Sequence, residues 1–341
     1  MPVNIKLIYH TAEGQAFAVE NAIYAIQTSR GCGVLHSLKI DKIAMVFDIP
    51  PKRRKEIVEK LEASVFSLKY PLKVGKAIKM GIYLHAYKIT LPDSPETLNL
   101  SLSPKKQANA QRYGRIEFNP HRLGKDGIAA MFGALESHIG KELSLKSLQK
   151  TAKVTIIDVT LDIQNIHMND LLLDKSDSHK THAYFSASGR METFYAGIRI
   201  NQKNGDILLY NKGKEVKEKS LKPNFKPGPY KDLPLDIPFT RLEVTKRPNL
   251  TLGALAGMEN PFTKLNLYFV RDVKGPEGSR QWTWFVDSCR IRGIEGALKT
   301  LPEPLKAEYL KALQAQPEQL YRPDTIWKSW AKSLKASGLV V

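Results

Sequence analysis

Cysteine is almost absent from this chain of 341 residues, which contains only Cys32 and Cys289. Two thiols cannot build a disulfide framework or a four-thiolate zinc site. Long hydrophobic runs are also missing, since Ile43–Phe47 and Ile128–Leu135 are far shorter than the roughly 20 residues that cross a bilayer. The first six residues show no basic segment followed by an apolar one, so we expect no secretory signal. These absences predict a cytoplasmic protein with no membrane partner.

Acidic residues are scarce relative to basic ones. The chain has 34 Asp and Glu against 52 Lys and Arg, which gives a formal net charge of +18. Hydrophobic residues make up 42%, an ordinary globular share, and the length suffices for one large domain or two of medium size. A surface this basic attracts polyanions, so nucleic acid is the leading partner class. The alternative is a basic protein that binds no nucleic acid.

The spacing of the apolar residues predicts an α+β fold, with a mostly antiparallel sheet, helices on one face and a C-terminal helical part. Helices are expected over Pro51–Phe66 and from Asp126 onward. The predicted strands are Lys39–Ile49, Ile82–Leu91, Thr97–Leu102, Arg115–Phe118, Val154–Ile163, Thr181–Ala187, Glu192–Ile200, Gly205–Lys212 and Phe239–Thr245. The Asn-Gly pair within Asn201–Gly205 is typical of a hairpin turn.

Prolines divide the rest of the chain. Lys219–Pro238 contains five of them and predicts a long exposed loop. Gly293–Leu339 predicts helices that are interrupted at prolines. Trp282, Trp284 and Phe285 are expected to form an apolar cluster at the end of a strand, and base stacking is the alternative role.

Four of the predicted strands carry polar or aromatic residues on the face away from the core. Because alternate side chains of a strand share a face, Ile157 and Val159 point to the core while Asp158 points away from it. The residues that the four strands bring to this second face are Asp158, Asp162, Tyr195, Arg199, Tyr210, Lys212, Arg241 and Glu243. Carboxylates bind divalent cations, tyrosine can act as a covalent nucleophile, and cations bind phosphate oxygens, so the mixture suits phosphate chemistry. The alternative is the solvated face of an amphipathic sheet.

Histidines do not provide a metal site of the His-hydrophobic-His kind, because none of the eight forms that pattern. His179 and His182 are separated by two residues and lie at a polar segment, Lys175–Lys180, so we expect exposed loop histidines, with a metal role as the alternative. A metal ion would therefore have to be held by carboxylates.

Four segments of the chain, taken in order, resemble one family. They are Thr155–Asp162, Glu192–Arg199, Leu209–Glu215 and Thr240–Val244. Their pattern is hydrophobic-Asp-x-x-x-Asp, Thr-x-Tyr-x-Gly-x-Arg, Tyr-x-Lys-x-x-Glu and Arg-x-Glu. It is similar to that of the trans-acting rolling-circle replication initiators of bacterial plasmids, a family that includes relaxases of some integrative conjugative elements and replication proteins of some filamentous phages.

The resemblance implies a site-specific enzyme that nicks and recloses one DNA strand to initiate rolling-circle replication. Tyr195 would attack the scissile phosphodiester and give a 5′-phosphotyrosyl link with a free 3′ hydroxyl. Tyr210 is the rival nucleophile, with orientation of the substrate as its other role. Arg199, Lys212 and Arg241 would bind the scissile phosphate or its neighbours.

The resemblance also implies a metal ion that is held by carboxylates. Asp158 and Glu243 are the predicted ligands, with Asp162 as the third, and an all-oxygen set favours Mg²⁺ or Mn²⁺. Along an ideal strand Asp158 and Asp162 lie about 13 Å apart, at ~3.3 Å per residue, so both can bind one ion only if the strand bends.

Basic residues in and beside the proline-rich segment predict contact with the DNA backbone. Together with Arg241, the predicted DNA-binding residues are Lys214, Lys217, Lys219, Lys222 and Lys226. If about six phosphates are neutralised, log K should fall with log[salt] with a slope near −4 to −5. For any single lysine, the alternative is an ordinary solvated charge.

The expected partner is origin DNA, both duplex and single-stranded, and a host helicase and a second copy of the chain are further candidates. A relaxase for conjugative transfer and a non-catalytic origin-binding regulator are the alternative functions, and a basic RNA-processing or structural protein is a third. We expect residues 1–272 to form the nicking module, with a sub-boundary near residue 150 left open, and residues 273–341 to form a mainly helical region.

Overall fold

The structure, a computed structural model, describes residues 7–10, 16–19, 22–28, 31–65, 72–76, 82–92, 94–106, 112–175, 181–196, 207–231, 236–271, 275–276, 279–315 and 321–340. Within these residues the strands are β1 (Leu7–His10), β2 (Ala16–Val19), β3 (Ala22–Thr28), β4 (Gly31–His36), β5 (Lys39–Phe47), β6 (Lys73–Lys76), β7 (Tyr83–Thr90), β8 (Leu98–Pro104), β9 (Gly114–Phe118), β10 (Lys153–Gln164), β11 (Leu171–Lys175), β12 (Thr181–Phe185), β13 (Met191–Ala196), β14 (Ile207–Asn211), β15 (Phe239–Lys246) and β16 (Leu265–Phe269).

Most strands belong to one large antiparallel sheet. Its order is β12-β13-β14-β15-β10-β5-β9-β8-β7-β6, and the β3–β4 hairpin joins the end of β10. The strands β1 and β2 pair with each other, as do β11 and β16. The longest strand, β10, lies between β15 and β5, so the acidic strand of the sequence pattern occupies the middle of the sheet.

The α-helices of the described residues are α1 (Pro51–Val65), α2 (Pro120–His138), α3 (Leu145–Thr151), α4 (Lys212–Ser220), α5 (Ser279–Leu298), α6 (Glu303–Gln314), α7 (Pro323–Trp327) and α8 (Trp330–Ala336). Short 3₁₀ turns cover Gly228–Tyr230 and Leu252–Gly257. No helix of the described residues is both long and apolar enough to cross a membrane.

The core lies between one face of the large sheet and several helices. Ile157, Val159 and Leu161 of β10 are fully buried there and pack in one cluster with Ile57 of α1 and Phe132 of α2. The short α8 joins the same cluster through the buried residues Trp330 and Leu334. A smaller cluster holds α5 and α6 together, with Trp282, Phe285 and Tyr309 at its centre.

The predicted fold class is confirmed: the chain is α+β, with a large antiparallel sheet and a C-terminal helical part. The helix predicted from Asp126 corresponds to the main part of α2, because Gly124, at φ 71° and ψ 167°, separates that part from a short first turn that begins at Pro120. Asn119 caps it, because its side chain accepts a hydrogen bond from the backbone N–H of Arg122 and proline suits the first helical position. The prediction missed this Asn-Pro start signal.

Two further local predictions are wrong. The strand predicted through Lys212 ends at Asn211, whose side chain accepts the backbone N–H of Lys214 and so starts α4. Trp282 and Phe285 lie on α5 instead of at a strand end, since their spacing places them on one buried helical face. The predicted hairpin turn Asn201–Gly205 lies outside the described residues.

Candidate active site

Two rows of side chains cross the face of the sheet that points away from the core, termed the polar face. The strand register places Asp162, Arg241, Tyr210, Thr193 and Tyr184 in one row across β10, β15, β14, β13 and β12. The neighbouring row contains Thr160, Glu243, Leu208, Tyr195 and His182. These two rows contain Asp162, Arg241, Tyr210, Tyr195 and Glu243, and Asp158, which pairs with Thr245, lies on the same face beyond the second row.

The first row begins with a buried ion cluster. Nε and Nη2 of Arg241 donate to the two carboxylate oxygens of Asp162 at 2.6 and 2.9 Å, and both side chains are fully buried. Nζ of Lys39 donates to the same carboxylate at 2.7 Å. Burial alone would raise the pKa of Asp162, but the charges of Arg241 and Lys39 outweigh it and hold that pKa well below its usual range.

A second carboxylate, Asp41 of β5, completes this cluster. Its Oδ2 accepts from Nη1 of Arg241 at 3.0 Å, and its Oδ1 accepts from the side-chain amide of Asn119 at 2.9 Å. An irregularity in the β5–β10 register lies at this point, because Val159 pairs with Ile40 while Asp158 pairs with Lys42. This bulge inserts Asp41 as an extra residue and aims it at Arg241.

The proline-rich segment covers the ion cluster instead of projecting from the surface. Its 3₁₀ turn buries Tyr230, whose hydroxyl accepts from Nη1 of Arg241 at 3.1 Å. Arg122 of α2 fastens the segment by donating to the backbone carbonyls of Lys226 at 3.0 Å and Pro95 at 2.7 Å. The predicted loop is therefore tied to the sheet at Tyr230 and to α2 at Arg122.

The prediction that these residues line an open face is wrong for four of them, because Asp158 is buried as well as the three residues that follow. Asp162 and Arg241 are fully buried, and Lys212 is buried at the start of α4. Nζ of Lys212 donates to Glu215 at 2.6 Å and lies over the ring of Tyr230 at 4.7 Å. These ion pairs occupy the charged groups, so the structure gives Arg241 and Lys212 internal partners where we expected contact with DNA.

An open cleft of about 410 Å³ occupies the rest of the polar face, and it is termed the tyrosine cleft. Its lining residues are Asp41, Glu192, Thr193, Tyr195, Leu208, Tyr210, Asn211, Lys214, Glu215, Glu218 and Glu243. Five carboxylates and a single lysine make the lining acidic. A phosphate group cannot approach such a surface favourably unless cations accompany it.

Glu243 is the carboxylate of the cleft that is least compensated. It forms no ion pair within the described part of the chain, whereas Glu192 pairs with Lys214 and Glu215 pairs with Lys212. Burial, together with the nearby charges of Asp158 and Asp41, raises the pKa of Glu243 to about 7. Burial also raises the pKa of Asp158, although Thr245 donates to that carboxylate at 2.6 Å.

The tyrosines of the polar face differ in their surroundings. Tyr195 is half-buried in the cleft, and its ring contacts that of Tyr184 edge-on, with 5.9 Å between centroids. Tyr184 and His182 are exposed on the edge strand β12, with their ring centroids 4.6 Å apart. Burial raises the pKa of Tyr210 well above its usual range, so this residue resists ionisation.

The carboxylates fit a divalent cation in their chemistry, though not as a closed cage. No group of three or more His, Cys, Asp or Glu side chains in the described residues could hold a metal ion. Asp162 is already saturated by Arg241 and Lys39. Glu243 and Asp158 remain, and two carboxylates suffice for Mg²⁺ when water and substrate phosphates supply the other ligands.

The predicted DNA-binding lysines lie mainly on α4 and the segment that follows it. Lys217, Lys222 and Lys226 are exposed. Lys219 pairs with Glu215, and Lys214 pairs with Glu192 and Glu218. The remaining predicted phosphate ligand, Arg199, lies outside the described residues, as does His179.

Three residues of the site were not foreseen: Lys39, Asp41 and Tyr230. A signal for Asp41 exists in the sequence, because two polar residues separate Ile40 from Ile43, and a regular strand would put these two isoleucines on opposite faces. The bulge at Asp41 explains how Ile40 and Ile43 can both pack in the same core. Tyr230 had only a weak signal, as an isolated aromatic residue within a proline-rich segment.

No protein-family model matches the chain, and no curated protein matches its sequence. Among solved structures, the chain is similar to one described as the rolling circle replication initiator protein from Geobacillus stearothermophilus. The match has 13% sequence identity and a TM-score of 0.37, and it covers 76% of this chain and 98% of that chain. Similarity at this level is distant, so a function for this chain has to be argued from its own residues.

Proposed function

We propose that this chain nicks one DNA strand with Tyr195 as the nucleophile and a divalent cation as cofactor, and thereby initiates rolling-circle replication. One observation carries the proposal: Tyr195 and Glu243 line the same open cleft, with Tyr210 beside them. Tyr195 comes from β13, Glu243 from β15 and Tyr210 from β14, and each belongs to one of the sequence segments that carry the resemblance.

The register supports a reaction between groups on these strands. Tyr195 and Glu243 lie in one row with Leu208 between them, so their Cα atoms are about 10 Å apart across two strand spacings of ~4.8 Å. A phosphodiester fits between two side chains that reach toward each other over that distance. The burial of Tyr210 and its raised pKa favour Tyr195 over Tyr210 as the nucleophile.

The chemical step is an in-line displacement at phosphorus. The phenol of Tyr195 loses its proton, and its Oη forms a bond to the phosphorus while the bond from phosphorus to the 3′ oxygen breaks. The leaving oxygen takes up a proton and becomes a 3′ hydroxyl, and the 5′ end stays on Tyr195 as a phosphotyrosyl ester. The reverse step closes the strand without an external energy source.

Glu243 and Asp158 are the residues that we propose to hold the cation. A bound Mg²⁺ or Mn²⁺ would polarise the phosphate and neutralise part of its charge. Glu243 supplies an uncompensated carboxylate at the cleft, and the acidic lining explains why DNA would need a cation to enter. Asp41 and Asp162 have a positioning role in this proposal: they accept hydrogen bonds from Arg241 and hold its side chain beneath the cleft.

The test is the formation of a covalent protein–DNA adduct. We would incubate the full chain with Mg²⁺ or Mn²⁺ and two substrates: a supercoiled plasmid that carries its own gene with flanking DNA, and random-sequence single-stranded oligonucleotides. We expect an adduct on a denaturing gel with the wild type and with the controls Tyr210→Phe and Tyr184→Phe. It should disappear in Tyr195→Phe and in the presence of a chelator.

Other outcomes would change the assignment. An adduct that persists in Tyr195→Phe would transfer the nucleophile to another tyrosine. Tight binding of DNA without an adduct under either metal would contradict nicking and favour the origin-binding regulator. A nick at a transfer origin, followed by strand transfer, would favour a relaxase.

A further inference from the structure

A second cavity, of about 220 Å³, lies where α8 meets the segment before β5 and the start of α2. It is termed the α8 pocket. Its polar lining residues are Ser37, Lys39, His121, Lys332, Ser333 and Ser337, and none of the residues that line it also lines the tyrosine cleft. The C-terminal helix thus builds a pocket that nothing in the proposed nicking reaction uses.

The chemistry of the lining distinguishes the α8 pocket from the tyrosine cleft. Its charged lining residues are the two lysines, and neither aspartate nor glutamate lines it. The other polar groups are three serine hydroxyls and one imidazole. Of these donors, Lys39 already donates to Asp162 and the hydroxyl of Ser337 to the carbonyl of Leu334. The remaining donors, in a lining without carboxylates, suit an anion that has several acceptor oxygens.

Two polar atoms in the lining are buried without a partner. Nε2 of His121 and Oγ of Ser333 have no hydrogen-bond partner among the described residues. Burying a polar atom without a hydrogen-bond partner is unfavourable, so a native structure rarely keeps two such atoms around one cavity without a use for them. After a small rotation of each side chain toward the cavity, a ligand oxygen would accept from the hydroxyl of Ser333 and from His121 in the tautomer that carries its proton on Nε2.

His121 and Lys332, two residues of the lining, differ in charge. Burial, assisted by the charges of Lys39 and Arg241, lowers the pKa of His121 to about 3, so the imidazole is neutral. The carboxylates of Asp162 and Asp41 oppose this effect without cancelling it. Lys332 lies exposed at the pocket and forms no ion pair within the described part of the chain, so its charge is available to a ligand.

We propose that the α8 pocket binds a phosphate group. The phosphate would be carried either by a small molecule or by the end of a nucleic-acid strand, and Lys332, Ser333 and His121 would contact its oxygens. Lys39 lines the pocket and also donates to Asp162, so a bound phosphate would touch the ion cluster that lies beneath the tyrosine cleft.

The first test uses inorganic phosphate as the probe. We would titrate it into the full chain by calorimetry, in a sulfate-free buffer that contains a chelator. The expected result is saturable binding at one site, which weakens about tenfold in Lys332→Gln and in Ser333→Ala because each loses a charge-assisted hydrogen bond. Lys335→Gln is the matched control, since Lys335 is an exposed lysine of the same helix outside the pocket.

Two results would overturn the proposal. One is the absence of saturable phosphate binding by the wild type. The other is an equal effect of Lys335→Gln and Lys332→Gln, which would mean that phosphate responds only to overall charge. Lys332→Gln alters an exposed side chain, so it keeps the test decisive even if Ser333→Ala disturbs folding.

A second titration distinguishes the two sources of phosphate. A 5′-phosphorylated tetranucleotide is compared with the same tetranucleotide without its 5′ phosphate. Tighter binding of the phosphorylated form, lost in Ser333→Ala, supports a strand end as the ligand. Equal binding of the two, alongside intact binding of inorganic phosphate, supports a small phosphorylated molecule. Neither result depends on the nicking activity.

Discussion

Among single residues, Arg241 carries the largest share of the electrostatics of the site. It holds the buried carboxylate of Asp162, the partly exposed carboxylate of Asp41 and the hydroxyl of Tyr230. Its own pKa is raised well above its usual range, because the charges of Asp162 and Asp41 outweigh the effect of burial. Arg241 therefore fixes the positions of β5, β10, β15 and the proline-rich segment relative to one another.

Removal of this arginine should destabilise the protein strongly. We predict that Arg241→Met lowers the free energy of unfolding by about 3 kcal/mol. This value is near the lower end of the range for loss of one partner of a buried ion pair, because Lys39 still compensates part of the charge of Asp162. Urea unfolding measures the change, and Arg190→Met, at an exposed arginine, should change it by about 0.5 kcal/mol or less. A loss below about 1 kcal/mol for Arg241→Met would contradict the structural role.

Glu243 makes the stability of the fold depend on pH. Its folded-state pKa of about 7 lies above the ordinary value of 4.5, so the folded state binds the proton more tightly than the unfolded state does. The stability contributed by this group is present below pH 4.5 and is lost as the pH rises to about 7.

We therefore predict that Glu243→Gln gains stability relative to the wild type between pH 4.5 and pH 7, with a constant advantage above that range. At 1.36 kcal/mol per pKa unit, the advantage is at most about 3 kcal/mol. Urea unfolding in chelator at pH 5 and pH 8 measures it. Glu218→Gln, at an exposed carboxylate of the same cleft, is the control. Parallel pH profiles for the wild type and Glu243→Gln would contradict the assignment.

At the scale of secondary-structure elements, the proline-rich segment is the least expected part of the site. Two contacts tie it down: Tyr230 packs on the ion cluster, and Arg122 holds the backbone at Lys226. Arg122 also contacts Glu96 and lies over the ring of Phe225 at 5.9 Å. One arginine of α2 thus determines how firmly this segment covers Arg241.

Loss of Arg122 should release the segment. We predict that Arg122→Ala increases cleavage by chymotrypsin after Phe225 and Tyr230 about tenfold, because loss of hydrogen bonds to a charged donor costs roughly 1.5–3 kcal/mol of local stability. Mass spectrometry of the fragments identifies the sites. Lys125→Ala, at an exposed residue of the same helix, should leave the cleavage rate unchanged. Equal rates in all three proteins would mean that Arg122 does not hold the segment.

The sequence was sufficient to predict most strands and helices, but it was insufficient to predict which side chains of the polar face are buried. Alternation along β10 and β15 correctly placed Asp158, Asp162, Arg241 and Glu243 on one face, because period-two patterns follow directly from strand geometry. Burial of that face depends on α2 and the proline-rich segment, which are distant in the chain. Local periodicity carries no information about such long-range packing. The sequence pattern also does not distinguish a solvated aspartate from one that is buried in an ion pair.

At the scale of the whole molecule, the C-terminal part is not a single appended unit. Trp330 and Leu334 of α8 are buried in the main core, whereas Trp282 and Tyr309 of α5 and α6 form the second cluster. The boundary at residue 272 stays a prediction. The packing indicates that removal of residues 273–341 would expose main-core surface around Trp330.

The net charge of +18 is a property of the whole molecule, and it contrasts with the acidic lining of the tyrosine cleft. A polyanion would be attracted by the exposed lysines around the cleft and would enter the cleft only with cations. Lys217, Lys222 and Lys226 are the exposed members of the predicted DNA-binding set. We therefore expect them to contribute most of its backbone contacts.

This expectation gives a quantitative prediction for the salt dependence of DNA binding. If about six phosphates are neutralised, the slope of log K against log[salt] is near −4 to −5 for the wild type. Combined replacement of Lys217, Lys222 and Lys226 by Gln should make the slope shallower by about 2–3, because each lost phosphate contact removes ~0.7–0.9. Fluorescence anisotropy of a labelled oligonucleotide, in chelator, measures the slope without strand cleavage.

The matched control removes the same charge from a different region. Lys299, Lys311 and Lys328 are exposed lysines of the C-terminal part, and their combined replacement by Gln also lowers the net charge by three. If DNA contacts the lysines beside the cleft, this control keeps the slope of the wild type. Equal slopes for the two triple variants would mean that DNA responds only to net charge, and an affinity that does not vary with salt would contradict backbone binding altogether.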